Sequence, residues 1–180
     1  MPTFIALLRG VNVGKAKRVP MADWKTLMAD LGYANIRTLL NSGNAVFEAK
    51  GKTAAATHAA NIRKTILDNL NVDAPVVVKS AEELQRIAAA NPWAKETLDA
   101  SRLLVAFAPD AATLAGLAPI AERVQGADRF HLGADAAYLW CPDGILESPA
   151  AEALLGKAGR AVTTRNWATV GKLLAMIETD

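Results

Sequence analysis

The chain has 180 residues, with 20 Lys+Arg against 18 Asp+Glu, a net charge of +2 and a 52% hydrophobic composition. That balance describes a soluble globular protein, and no apolar run reaches the ~20 residues that a membrane-spanning helix needs. A single Cys excludes a disulfide framework within the chain, and with only two His a structural zinc cage is not expected. Charge is unevenly spread, because residues 1–80 hold 11 Lys+Arg and 5 Asp+Glu whereas residues 81–180 hold 9 and 13. A basic first half and an acidic second half can steer an anionic partner to one end of a molecule.

The amino terminus, Met1-Pro2-Thr3-Phe4-Ile5-Ala6-Leu7-Leu8-Arg9, has no basic leader before its short apolar stretch. It reads as a strand rather than a signal peptide, and with a free Cys it points to a reducing cytoplasm. A loop with two glycines and four basic residues follows, Arg9 to Arg18, closed by Pro20. Met21, Trp24, Leu27, Met28 and Leu31 then recur at helical spacing, with Pro20 suited to the first turn and Gly32 to a carboxyl-terminal cap. Strands are predicted over Asn35–Leu40 and Asn44–Ala49 around the turn Asn41-Ser42-Gly43, then a helix from Thr53 to Leu70 with Ile62, Ile66 and Leu70 one turn apart. Ala74–Lys79 is short and β-branched, a strand.

The order strand, helix, strand, strand, helix, strand is that of the split βαβ, or ferredoxin-like, arrangement, with four antiparallel strands and both helices on one face. Ser80-Ala81-Glu82-Glu83 is a capping box for a helix reaching about Ala90, which Asn91-Pro92 stops. The order then repeats. Arg102–Ala108 is a strand, and Asp110 caps a helix carrying Leu114 and Leu117 that Pro119 shortens or kinks. Strands at Asp128–Leu132 and Ala136–Cys141 flank a turn with Gly133. A helix at Pro149–Lys157, a short strand at Arg160–Thr163 and an amphipathic helix from Asn166 complete the chain. The expected fold is α+β: two tandem ferredoxin-like subdomains, at 1–80 and 102–180, joined by a helical connector at 81–101.

Three polar segments carry the functional expectation. Successive amides in the Arg9–Arg18 loop, with Lys15 and Arg18 beside them, can surround a phosphate or carboxylate, and a helix start follows. The run Gly10-Val11-Asn12-Val13-Gly14-Lys15-Ala16 is one residue short of a P-loop and has Ala where the Mg²⁺-binding hydroxyl belongs, so the nucleotide-hydrolase motif is absent. The dinucleotide-binding glycine pattern is absent as well. At the hairpin tip, Ser42, Gly43 and Asn44 either read a polar ligand or simply stabilise the turn. Thr164, Arg165 and Asn166 are expected at the start of the last helix, where a guanidinium makes planar two-point contacts with phosphate or carboxylate.

No hydrolytic triad assembles from the sequence. His58 in an Ala-rich helix and His131 in a strand read as surface or packed residues, and Cys141 as a small buried hydrophobe. Binding of single-stranded RNA on an open sheet face would need exposed aromatics, and Phe4 and Phe47 are the only candidates on the first and third strands.

Taken together, Leu7-Leu8-Arg9-Gly10-Val11-Asn12-Val13-Gly14 with Val19-Pro20-Met21, then Ser42-Gly43-Asn44-Ala45-Val46-Phe47, then Thr164-Arg165-Asn166-Trp167, resemble the bacterial family catalogued as domain of unknown function 1697. The resemblance also takes in Ser80-Ala81-Glu82-Glu83-Leu84 and Asn91-Pro92. It implies a cytoplasmic protein of two ferredoxin-like subdomains and supplies no reaction, substrate or cofactor. Lys15, Asn41 and Ala168 depart from the family's usual Gly, Gln and Asn. The expectation is a small-anion, nucleotide or phosphometabolite site that gathers Arg9, Asn12, Gly14, Lys15, Arg18, Ser42, Gly43, Asn44, Thr164, Arg165 and Asn166. No metal and no membrane partner are expected. The alternatives are phosphoryl or acyl transfer at the same residues, or a single-stranded RNA-binding module.

Overall fold

A computed structural model describes residues 1–179. In chain order the elements are β1 (Thr3–Leu8), α1 (Met21–Asp30), β2 (Ala34–Leu39), β3 (Asn44–Glu48), α2 (Ala55–Leu70), β4 (Val76–Ser80), α3 (Ala81–Ala89), β5 (Leu103–Phe107), α4 (Ala111–Ala115), β6 (Arg129–Leu132), β7 (Ala137–Trp140), α5 (Pro149–Leu155), β8 (Thr163–Asn166) and α6 (Trp167–Glu178). They form two antiparallel four-stranded sheets with strand orders β2-β3-β1-β4 and β6-β7-β5-β8. The strand order is the same in both, so the expected α+β architecture of two tandem ferredoxin-like subdomains is the observed one. Contacts divide the chain into two units, Met1–Leu84 with the last residues from Ala175, and Gln85–Leu174.

In the first unit, alternation along the strands decides which side chains meet the helices. Phe4, Ala6 and Leu8 of β1 join Ala45 and Phe47 of β3 and Val76 and Val78 of β4 in a core closed by Trp24 and Met28 of α1 and by Ile62 and Ile66 of α2. The period of two in the strands and the i, i+4 spacing in the helices make this a single continuous cluster. Phe4 and Phe47 stack with centroids 5.6 Å apart inside this helix-covered core. They are therefore not a platform for bases, and the RNA reading loses the two aromatics it needed.

In the second unit, Leu104 and Ala106 of β5, Ala137 and Leu139 of β7, Leu114 of α4 and Leu154 of α5 form the equivalent core. Asp110 caps α4 by accepting from the Thr113 amide at 2.7 Å. Pro119 keeps the following Ala118–Arg123 segment from extending α4, and that segment forms a 3-10 turn instead. The Tyr138 hydroxyl donates to the Ile87 carbonyl, tying the end of α3 to β7.

The end of the chain corrects the sequence reading. The last strand is Thr163–Asn166 rather than Arg160–Thr163, because Thr163 to Asn166 pair antiparallel with Phe107 to Leu104. Thr164 and Arg165 therefore lie in an edge strand and not at a helix start. Asn166 alone caps α6, its Oδ1 accepting from the Thr169 amide at 2.9 Å.

Candidate functional site

The first two candidate segments come together in the first unit. At the end of β1 the Leu8 amide donates to the Gly43 carbonyl at 2.8 Å and the Arg9 amide to the Pro75 carbonyl at 3.0 Å, so the basic loop leaves the sheet between the β2–β3 hairpin and β4. Asn12 then holds the loop closed. Its amide donates to the Lys17 carbonyl at 3.0 Å. Its Nδ2 donates to the carbonyls of Val19 and Asn41, at 2.8 and 2.7 Å, and its Oδ1 accepts from the Val19 amide at 2.8 Å. Asn12 sits at φ 58°, in the left-handed region that Asn tolerates better than most residues.

With both Nδ2 protons committed, Asn12 positions the loop and has no donor left for a ligand. The same holds at the hairpin, where buried Asn44 donates from Nδ2 to the Leu39 carbonyl at 2.8 Å and to Ser42 Oγ at 3.0 Å. Gly43 is required by shape, since its φ is +91° and an added Cβ would stand 2.7 Å from Leu8 Cβ. Arg18 folds back, its Nη1 donating to the Gly14 carbonyl at 3.2 Å.

Arg9, Lys15, Lys17 and Arg18 supply the charge. The three loop residues are exposed and Arg9 is half-buried. Burial pulls the Arg9 guanidinium below its ordinary pKa, the mark of a cation partly withdrawn from water. The Arg63 guanidinium, donating to Asp73, holds that carboxyl below its ordinary pKa, and the charge of Lys17 adds a smaller part.

The third candidate segment belongs to the second unit. Arg165 faces the same side of its sheet as Val105 and Tyr138, its neighbours across the ladder. It is buried, its Nη1 donates to the Thr164 carbonyl at 2.8 Å, and desolvation pushes its pKa down to about 10. On the same face Thr163 carries a buried hydroxyl with no hydrogen-bond partner.

His58 is packed, as its helix suggested, but its partner was not legible. It is 4% exposed, and its Nδ1 shares a hydrogen bond of 2.8 Å with the Tyr33 hydroxyl. Phe4 and Phe47 lie edge-on to its ring, with centroids 4.9 and 5.9 Å away. The signal was the spacing His58, Ile62, Ile66, which puts the imidazole on the apolar stripe of α2. Cys141 is buried with its thiol pushed up by desolvation, the opposite of an activated nucleophile. Among the described residues no three His, Cys, Asp or Glu side chains cluster in a way that could hold a metal ion. No helix among them is long and apolar enough to cross a membrane.

Comparison with known proteins fixes the ancestry of this scaffold. The sequence model of a family described as "Protein of unknown function (DUF1697)" matches residues 1–138. No curated protein matches. Among solved structures, a conserved bacterial protein, SP0830, from Streptococcus pneumoniae superposes with a TM-score of 0.80 at 19% identity, with 98% of each chain covered. At that identity the likeness speaks for the fold alone.

Proposed function

The chain belongs to the DUF1697 family of proteins of unknown function; from that premise we propose that it binds a small phosphorylated anion, of nucleotide or phosphometabolite type, on the basic loop of its first unit. Arg9, Lys15 and Arg18 supply charge, and the backbone about Gly14 and the Ser42–Gly43 turn supplies neutral donors. Asn12 and Asn44 hold the two segments in register. The observation that carries the reading is the brace from Asn12 to Asn41, which joins a loop rich in cations to a second polar turn 29 residues away. A loop whose lysines were merely solvated has no need of so specific a clamp. Successive amides bent by Gly10 and Gly14, both at positive φ, are the backbone form that cradles anions. In the second unit the buried Arg165 guanidinium is proposed as a separate anion contact; Thr164 and Asn166, its neighbours in β8, point to the opposite face of the strand and stand outside it.

Thermal titration with nucleoside phosphates, sugar phosphates and inorganic phosphate tests the reading. A ligand at 100 times its dissociation constant stabilises by about 2.7 kcal/mol. The double substitution Lys15→Ser/Arg18→Ser, at exposed positions, is expected to abolish the shift while leaving the unliganded melting temperature near that of the wild type. No response from any phosphorylated compound, or a response unchanged in the double variant, overturns it. Arg165→Met, read in the same titration, examines the second-unit contact independently.

A further inference from the structure

A second polar feature lies in the first unit, where the end of α1, the end of β3 and the start of α2 surround a cavity of about 220 Å³. Tyr33, Lys50, Thr53, His58 and Asn61 supply its polar lining and Leu31 part of its apolar wall. Lys50 is its one charged lining residue, and no carboxylate lines it. The helix beginning beside it, α2, has Ala54 at its cap position with no side-chain cap and no acidic residue in its first turn, so nothing local offsets the positive end of its dipole.

The His58–Tyr33 pair is the observation that separates this cavity from an ordinary surface dent. An imidazole buried to 4% exposure against Phe4 and Phe47, with Nε2 lacking any hydrogen-bond partner, is a costly way to fill a core position. A leucine or phenylalanine would fill the same space without an orphaned polar atom. What the imidazole adds is the hydrogen bond between Nδ1 and the Tyr33 hydroxyl, which fixes a phenol on the cavity wall. His58 is thus a positioning residue, and Tyr33 is the group it positions.

We propose that this cavity binds a small organic monocarboxylate, its carboxylate taken by the Lys50 ammonium and by the Thr53, Asn61 and Tyr33 donors, and its short apolar body set against Leu31. The cavity is smaller than sites for drug-sized ligands, so the ligand is a short-chain or single-ring acid. In the bound state Nδ1–H of His58 donates to the Tyr33 oxygen, which frees the phenolic O–H for the carboxylate. This site does not use the basic loop, so its fate and that of the proposed phosphate site are separable.

Propionate and benzoate are the probes, with propionamide and inorganic phosphate as the uncharged and the wrong-shaped controls, titrated to about 10 mM into the ¹⁵N-labelled full chain to reach the millimolar dissociation constants of weak small ligands. Amide shifts are expected at Tyr33, Lys50, Thr53 and Asn61 with the two acids and not with propionamide. Lys50→Gln and Asn61→Leu, at exposed positions, are expected to weaken binding at least tenfold. Tyr33→Phe is expected to weaken it as well while keeping the aromatic packing. Lys15→Ser/Arg18→Ser is expected to leave it unchanged. No shift at these residues, equal shifts with propionamide, a response to phosphate but not to the acids, or undiminished binding in Lys50→Gln and Asn61→Leu overturns the proposal.

Discussion

The side-chain amide of Asn12 donates to the backbone carbonyl of Asn41 at 2.7 Å, locking the first basic loop onto the β2–β3 hairpin. Together with its two bonds to Val19, it makes this one residue the hub of both segments. Asn12→Gly keeps the left-handed backbone free of strain but deletes all three bonds, and is expected to cost about 1–3 kcal/mol. Asn12→Ala is expected to cost about 1 kcal/mol more, because alanine resists the positive φ. Urea melts of the two variants decide it: Asn12→Gly as stable as the wild type removes the brace from the account.

Gly43 and Gly10 offer a matched pair of backbone tests. Both have positive φ, but a Cβ on Gly43 would meet Leu8 Cβ at 2.7 Å whereas one on Gly10 meets nothing within 4 Å. Gly43→Ala adds a steric clash to conformational strain and is expected to cost roughly 2–4 kcal/mol. Gly10→Ala carries strain alone and is expected to cost about 1 kcal/mol. Equal losses in thermal melts would mean that the approach of the hairpin to β1 is looser than 2.7 Å implies.

Elements set by local pattern were legible; partners set by pairing were not. Trp24 and Met28 on α1 and Ile62 and Ile66 on α2 announce the helical side of the first unit's core, whereas the sequence considers Phe4 and Phe47 for the open sheet face and the structure packs both beneath the helices. Sequence pattern puts the last strand at Arg160–Thr163, whereas β8 begins only where Thr163 finds Phe107 across the ladder, a pairing that no local signal marks. Asn166 ends that strand and caps α6 with no residue between, a double duty that local propensity does not announce. The chemistry of Asn12 and Asn44 alone suggests ligand groups. The structure gives the Asn12 amide to the carbonyls of Val19 and Asn41 and the Asn44 amide to the Leu39 carbonyl and the Ser42 hydroxyl, and the Asn41 carbonyl lies 29 residues from Asn12, a distance no spacing rule spans.

The capping box at Ser80 was legible in full and makes a sharp energetic test. The Ser80 amide donates to Glu83 Oε2 at 2.8 Å, and the Glu83 amide to Ser80 Oγ at 3.1 Å. Ser80→Ala deletes the hydroxyl acceptor and is expected to cost about 1 kcal/mol. Glu83→Gln preserves the reciprocal acceptor and is expected to stay within about 0.5 kcal/mol of the wild type, since the Lys79 contact at 3.9 Å is a weak ion pair. Denaturant midpoints separate the two; a larger loss in Glu83→Gln than in Ser80→Ala would assign the stabilisation to charge rather than to capping.

His58 predicts how stability responds to acid. Burial against Phe4, Phe47 and Tyr33 holds its folded pKa below the ordinary value of 6.5, so the folded chain keeps the ring neutral where the unfolded chain has begun to take up a proton. Between those two pKa values the unfolded state binds more protons, and linkage makes stability fall as the pH falls. The contribution is fully present above the unfolded value and is lost as the pH drops from there towards the folded one. Urea midpoints measured from about pH 7.5 down to about 5.5, above the range where most carboxylates titrate, are therefore expected to decline in the wild type. His58→Gln has nothing to titrate there, so its curve is expected to start lower, for want of the native Nδ1 bond to Tyr33, and to run flatter. It is the difference in slope that matters, since the offset reports only the lost packing and hydrogen bond. Parallel curves would mean that the folded and unfolded chains titrate His58 alike, and would remove its burial as the cause of the acid response.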